Sequence, residues 1–257
     1  EAKGGGVGEG GTSQVAKRNR DDDGTGPITL DGERPQKRFY RARAHCNPLS
    51  HNSSFKPPAS PEEMDWSVHY PQLTDPQVRI VDMGCGFGGL TVALARMFPD
   101  KAVLGTEIRA KVCEFVRLRI QALRKEHPGE YQNGSALRTN SMMLMPNYFR
   151  RAQLEKMFFC FPDPHFKAKN HRRRIISGPL LTEYAHFLKP GGILYTITDV
   201  EELHKWHEAK ADAHPCFQRL NKWEMEADPS VAVMVEVTEE GKKVARSGGK
   251  KFWAVYR

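Results

Sequence analysis

The stretch VRIVDMGCGFGG, Val78 to Gly89, decides the fold. Its first half is an apolar, β-branched run of the kind a strand buried on both faces requires. Its second half places Gly84, Gly86, Gly88 and Gly89 between that strand and the helically spaced run LTVALARMF. Glycines suit such a loop because a side chain would hold the backbone away from a ligand, and the helix N-terminus that follows favours a negative group. The spacing Gly84-x-Gly86-x-x-Gly89 is shared by dinucleotide sites and by other nucleotide-like ligands, so the loop alone leaves the ligand open.

The pattern repeats outward from this unit. KAVLGTE, ALRTN, KMFFCF and GILYTIT read as further strands, separated by segments of helical spacing. Val112, Val116, Ile120 and Leu123 form one apolar face of a helix that His127-Pro128-Gly129 ends. Strands alternating with helices predict an α/β domain, a mostly parallel sheet covered on both faces. After Pro215 the rhythm changes. VAVMVEV and KKFWAVYR read as late strands, added antiparallel at the sheet edge.

Ligands of open parallel sheets lie beyond the carboxyl ends of the strands, which selects the candidate residues. Glu107 ends the second strand about twenty residues after the Gly loop, where a carboxylate can accept both hydroxyls of a ribose. The same residue could instead neutralise the dipole of the helix starting at Ile108. The third strand ends at Asn140 and Ser141, and the fourth at Cys160 and Asp163. That fourth strand, in MFFCFPDPHFKAKNHRRR, stops abruptly at prolines, which leaves Asp163 at a strand end.

Beyond Asp163 no acidic residue occurs until Glu183, whereas Lys167, Lys169, Arg172, Arg173 and Arg174 crowd together. A charge run is ordinarily a solvated face, but beside a carboxylate at a pocket mouth it suits a phosphate backbone. A second basic cluster, Lys37, Arg38, Arg41 and Arg43 around Phe39 and Tyr40, fits either RNA contact or a nuclear-import signal. The 257-residue chain carries 39 Lys+Arg against 31 Asp+Glu, a net charge of +8 that suits a polyanionic partner. Five cysteines without a CxxC pair indicate neither a disulfide framework nor a zinc knuckle, and no metal site is expected. The organisation expected is a Gly-rich disordered leader over 1–35, a basic segment over 36–65 and a catalytic domain over 66–257.

Taken in order, QKRFYRARAHCNP, EEMDWS, DMGCGFGGL, GTEIRAKV, KMFFCFPDPHFK, RRIIS, YTITDV and TEEGKKV resemble the eukaryotic branch of the tRNA (guanine-N7)-methyltransferase family. The resemblance covers roughly 35–257. It implies a Rossmann-like fold that uses S-adenosyl-L-methionine, and a cofactor site built from Gly84, Gly86, Glu107, Ile108, Arg109, Asn140, Ser141 and Cys160. It implies that Asp163 is the catalytic carboxylate and that Thr238, Glu239 and Glu240 close over cofactor or base. From the residues alone, TEEGKK reads simply as a Thr N-cap followed by acids in a first helical turn. The resemblance further implies tRNA as substrate and a non-catalytic WD-repeat β-propeller subunit. The chain has Cys46 where the family's RAHSNP motif has Ser, and Ser141 where Ala is familiar.

Three other readings make different demands. A nicotinamide oxidoreductase shares the loop and Glu107 but needs a proton donor that nothing marks. A non-catalytic RNA-binding subunit has no use for Gly84, Glu107 and Asp163 together. A cap guanine-N7 methyltransferase uses the same chemistry on a different RNA.

Overall fold

A computed structural model describes residues 33–43, 46–50 and 52–257. The leader expected over 1–35 lies almost wholly outside them. Strand β1 (Val78–Met83) runs parallel between β2 (Ala102–Glu107) and β4 (Leu154–Cys160). Outside these lie β3 (Gly134–Arg138) on one side and β5 (Leu188–Thr198) on the other. The edge strand β6 (Phe252–Tyr256) is antiparallel to β5, giving the order β3-β2-β1-β4-β5-β6. The chain winds outward from β1 to β3 and then returns to begin β4 on the other side of β1. This reversal opens a crevice above the carboxyl ends of β1 and β4.

Among the described residues the α-helices are α1 (Gly89–Met97), α2 (Ala110–Glu126), α3 (Gly178–Phe187), α4 (Glu201–Asp212), α5 (Lys222–Ala227), α6 (Pro229–Val237) and α7 (Glu239–Arg246). The unbroken apolar run of β4 follows from its central place. Met157 and Phe159 join Tyr184 and Phe187 of α3 in one core cluster, and Phe158 joins Leu90, Leu94 and Met234 in a second. Phe158 also stacks on Tyr195 of β5, with ring centroids 4.2 Å apart. On α2, Val112, Val116 and Ile120 are buried, as the apolar spacing predicts.

One of the two expected late strands is a helix. VAVMVEV lies within α6, where the Asp228 side chain accepts from the Ser230 N–H at 2.9 Å and Pro229 occupies the first turn. Those start signals, with Val231 and Met234 buried together in the core shared with α1, outweigh the strand preference of the valines. Only β6 is added to the sheet edge.

The described parts of the basic N-terminal segment pack on the α/β domain. Tyr40 is buried edge-on to Phe115 of α2, with centroids 5.7 Å apart, and Arg34 pairs with Glu126. Asn147 donates to the Pro58 carbonyl at 2.9 Å, and Asn140 donates to that of Pro48 at 2.6 Å. The second of these bonds brings the segment to the rim of the crevice.

Candidate active site

The loop from Phe161 to His165 carries the candidate carboxylate, and its backbone is unusual at both ends. Phe161 (φ 50°) and His165 (φ 47°) are left-handed non-glycine residues, a conformation that costs of order 1–3 kcal/mol each and persists where surrounding contacts impose it. The Phe161 N–H donates to the Ile197 carbonyl of β5 at 2.8 Å, which anchors the loop to the sheet. Pro162 and Pro164 fix φ on either side of Asp163. The half-buried Asp163 is therefore held up at the strand end.

Asp163 stands where two lobes of the crevice meet. One lobe is lined by Gly84, Glu107, Ile108, Arg109, Asn140, Ser141 and Cys160; the other adds Asp82, Gly86, Asp199, Thr238, Glu239 and Glu240. Gly84, Arg109, Cys160 and Asp163 border both. The crevice thus gathers all the cofactor residues expected from the sequence. A Cβ added at Gly84 (φ 73°) or Gly86 (φ 54°) would meet nothing within 4 Å, so the loop forms an open floor on which a ligand can lie.

Several of these side chains already have partners. Glu107, 3% exposed, accepts from the Arg109 N–H at 2.9 Å and from its guanidinium at 3.0 and 2.8 Å. A ribose hydroxyl must share that carboxylate with Arg109. Buried Asn140 donates to Pro48 and accepts from the Met142 N–H at 3.1 Å, so its amide shapes the crevice wall. Ser141 donates to Thr106 at 2.8 Å, which fixes its hydroxyl against β2.

The segment from Thr238 to Glu240 divides its work. Thr238 caps α7 by accepting from the Gly241 N–H at 3.1 Å, as the residues alone indicated. Glu239 accepts from the Gly89 N–H at 3.1 Å and pairs with Arg119 at 3.1 Å and Lys37 at 3.2 Å. The anion position at the N-terminus of α1 is therefore taken by the protein's own Glu239. Glu240 is exposed and pairs with Lys243 at 3.3 Å.

Asp82, which the sequence reading passed over, lies 1% exposed beneath the Gly loop. Burial pushes its carboxyl up to about 7, against the hydrogen bond it accepts from Thr91 at 2.7 Å. A signal was available, since Asp82 is the one charge in the last four residues of an otherwise apolar strand entering the Gly loop. Asp199, just past β5, obeys the same strand-end rule that picked out Asp163. Pro48 left no comparable signal.

Lys167, Lys169 and Arg172 are exposed on the loop after Asp163, and Arg173 lines the crevice. Lys37, Arg38, Arg41 and Arg43 are exposed too, with Lys37 held by Glu239 and lying over the Phe87 ring. Arg174 corrects the charge-run reading. It is 2% exposed and donates to the Pro164 carbonyl at 2.9 Å and to Glu202 at 2.7 Å, so it cannot present its charge to a phosphate backbone.

Comparison with known proteins settles the family. Residues 76–254 match the family model described as "Putative methyltransferase". A tRNA (guanine-N(7)-)-methyltransferase of Oryza sativa subsp. indica is 54% identical over 245 residues, covering 90% of this chain and 94% of that protein. The chain belongs to the tRNA (guanine-N(7)-)-methyltransferase family. Members from Schizosaccharomyces pombe (54% over 236 residues, 88% of this chain and 86% of that protein) and Brugia malayi (51% over 245 residues, 93% and 92%) are similarly near. Among solved structures, an antibiotic-related methyltransferase matches at TM-score 0.49 and 14% identity, over 80% of this chain and 98% of that one.

Proposed function

We propose that this methyltransferase transfers the methyl group of S-adenosyl-L-methionine to N7 of a guanine in the variable loop of tRNA. The observation that carries the reading is the position of Asp163, at the junction of a Gly-floored lobe and a second lobe, beside a basic loop. The residues present fit the cofactor: Gly84 and Gly86 leave the floor open, Glu107 offers a carboxylate at ribose position, and buried Asp82 supplies a carboxyl that a cationic group would ionise. Ile108, Asn140, Ser141 and Cys160 complete that wall. When bound, S-adenosyl-L-methionine supplies an electrophilic methyl sulfonium.

Guanine N7 carries a free lone pair and no proton, so the reaction needs alignment more than a general base. The Asp163 carboxylate accepts hydrogen bonds from the guanine N1–H and exocyclic amine, which orients the ring. Its negative charge offsets the positive charge that develops on the ring as the methyl group arrives. Lys167, Lys169 and Arg172 hold the RNA backbone at the mouth. We further propose nuclear residence, which the basic N-terminal cluster supports as an import signal, and, on the family resemblance alone, a propeller subunit that shares the task of holding tRNA.

The test is transfer of a labelled methyl group from S-adenosyl-L-methionine to unmodified tRNA, with and without a propeller subunit, followed by cleavage mapping at 7-methylguanine. Label at one variable-loop guanine is the expected result. Label confined to the cap of a capped RNA, or none despite cofactor binding, refutes the substrate assignment.

A further inference from the structure

We infer that Arg174 is a positioning residue for the reaction: it locks the Asp163 loop to α4 and contributes nothing to RNA contact. The assignment deepens the methyl-transfer reading, because it concerns how Asp163 is held.

Arg174 is among the largest fully buried side chains of the protein, and burying a guanidinium costs several kcal/mol unless its donors and charge are matched. The matches all run to the catalytic loop or to α4. Nε donates to the carbonyl of Pro164, the residue next to Asp163, at 2.9 Å. Nη2 donates to Glu202 in the first turn of α4 at 2.7 Å. The guanidinium lies over the Trp206 ring of α4 at 4.7 Å, and Trp206 in turn donates from Nε1 to the Ile176 carbonyl at 2.7 Å. The Arg174 N–H donates to the His171 carbonyl at 2.9 Å, closing the short 3-10 turn that displays Arg172 and Arg173.

The geometry explains why this site needs a clamp. Phe161 and His165 hold left-handed backbone at the two ends of the loop, and the Phe161 end is tied to the sheet by a main-chain bond to Ile197. The far end, from Pro164 onward, leaves the sheet and is tied instead through Arg174. Its anchor is well chosen, since α4 begins just after Asp199 and Val200, which line the same crevice. One forked side chain therefore fixes the Asp163 loop relative to the opposite crevice wall. Lysine, with a single point of charge, cannot bond Pro164 and Glu202 while stacking on Trp206.

The run of three arginines thus divides by direction. Arg172 faces solvent, Arg173 the crevice and Arg174 the interior.

The test measures single-turnover rate, cofactor affinity and tRNA affinity for Arg174→Lys, Arg174→Ala and Glu202→Gln, with Arg172→Ala as the contrast. A displaced carboxylate loses up to about a hundredfold in rate. Arg174→Lys is expected to lower the single-turnover rate roughly ten- to a hundredfold while both affinities and the salt dependence of tRNA binding stay within twofold of wild type. Glu202→Gln, at an exposed position that tolerates change, should lose rate in the same direction by less. Should Arg174→Ala fail to fold, the other two variants carry the test. A weakened, less salt-sensitive tRNA affinity in folded Arg174→Ala, like that expected of Arg172→Ala, overturns the assignment, as does an unchanged rate in Arg174→Lys. Inactivity of the wild type would refute the methyl-transfer reading instead.

Discussion

Two glycines two positions apart should fail in different ways when replaced by alanine. Gly86 and Gly88 both have left-handed backbone, at φ 54° and 76°, which costs an L-residue about 1–2 kcal/mol. A Cβ at Gly86 would meet nothing within 4 Å, so Gly86→Ala should lose little more than that. A Cβ at Gly88 would lie 2.5 Å from Val116 Cγ1, 3.1 Å from Cγ2 and 3.4 Å from Cβ. Val116 is fully buried on α2 and stiff at χ1, so it cannot swing aside, and overpacking adds roughly 1–3 kcal/mol. Gly88→Ala should therefore lose about 2–5 kcal/mol, or roughly 4–20 °C in Tm at about 2–4 °C per kcal/mol. Binding should show the reverse order, because the Gly86 methyl enters the open floor of the crevice whereas the Gly88 methyl points into the core. Thermal unfolding and calorimetric titration with S-adenosyl-L-methionine read the two quantities. Equal destabilisation by both variants, with cofactor affinity unaffected by Gly86→Ala, would refute the division between floor and packing.

Other consequences follow from charge. Asp82, raised to about 7, is partly protonated in the free enzyme near neutral pH, and a cationic ligand favours its ionised form. Cofactor binding at pH 6–7 should therefore release a proton, seen by titration in buffers of different ionisation heat, and Asp82→Asn should abolish the release. His207 is buried and pushed down to about 3, and neither ring nitrogen has a hydrogen-bond partner. Because the unfolded chain takes up a proton near 6.5 and the folded state does not, stability falls as pH drops below that value, by about 2 kcal/mol at pH 5. His207→Leu should remove that loss in urea unfolding at pH 5 against 7.5; an equal loss in the variant would exclude His207 as its source. Replacing Lys167, Lys169 and Arg172 with alanine should weaken tRNA binding and reduce the salt slope by about one per lost phosphate contact. An unchanged slope would make that loop an ordinary solvated surface.

How far the sequence could be read depended on the range of the interactions. The β1 strand, the Gly loop and the apolar face of α2 announce themselves because strand period, helix period and turn chemistry are local. So does the Thr238 cap. The helix α6 was misread because its valines favour strands, while the signals that start the helix, Asp228 and Pro229, lie just outside the apolar run. Arg174 was illegible for another reason. Its two neighbours are the same residue type, and only the closing of a 3-10 turn with Trp206 and Glu202 beyond it turns the third arginine inward. Asn140 was placed correctly at the crevice, but the partner its amide takes, Pro48, is 92 positions away in the chain. Strand-end rules therefore found where chemistry gathers, and long-range packing decided which of those groups remain available for it.

The central claim is that the Asp163 carboxylate grips the guanine edge, and a cycle of changes on both sides of that contact tests it most directly. Inosine at the target position lacks the exocyclic amine, and Asp163→Asn lacks the charge that accepts from it. Single-turnover methylation is measured for the four combinations of enzyme and tRNA. A hydrogen bond to a charged group is worth about 1.5–3 kcal/mol, so each single change should slow the reaction by roughly ten- to a hundredfold. Combined, the two changes should cost little more than the worse of them, since both remove the same contact. Losses that multiply would show that Asp163 and the guanine amine act independently, and would contradict the role assigned to this carboxylate.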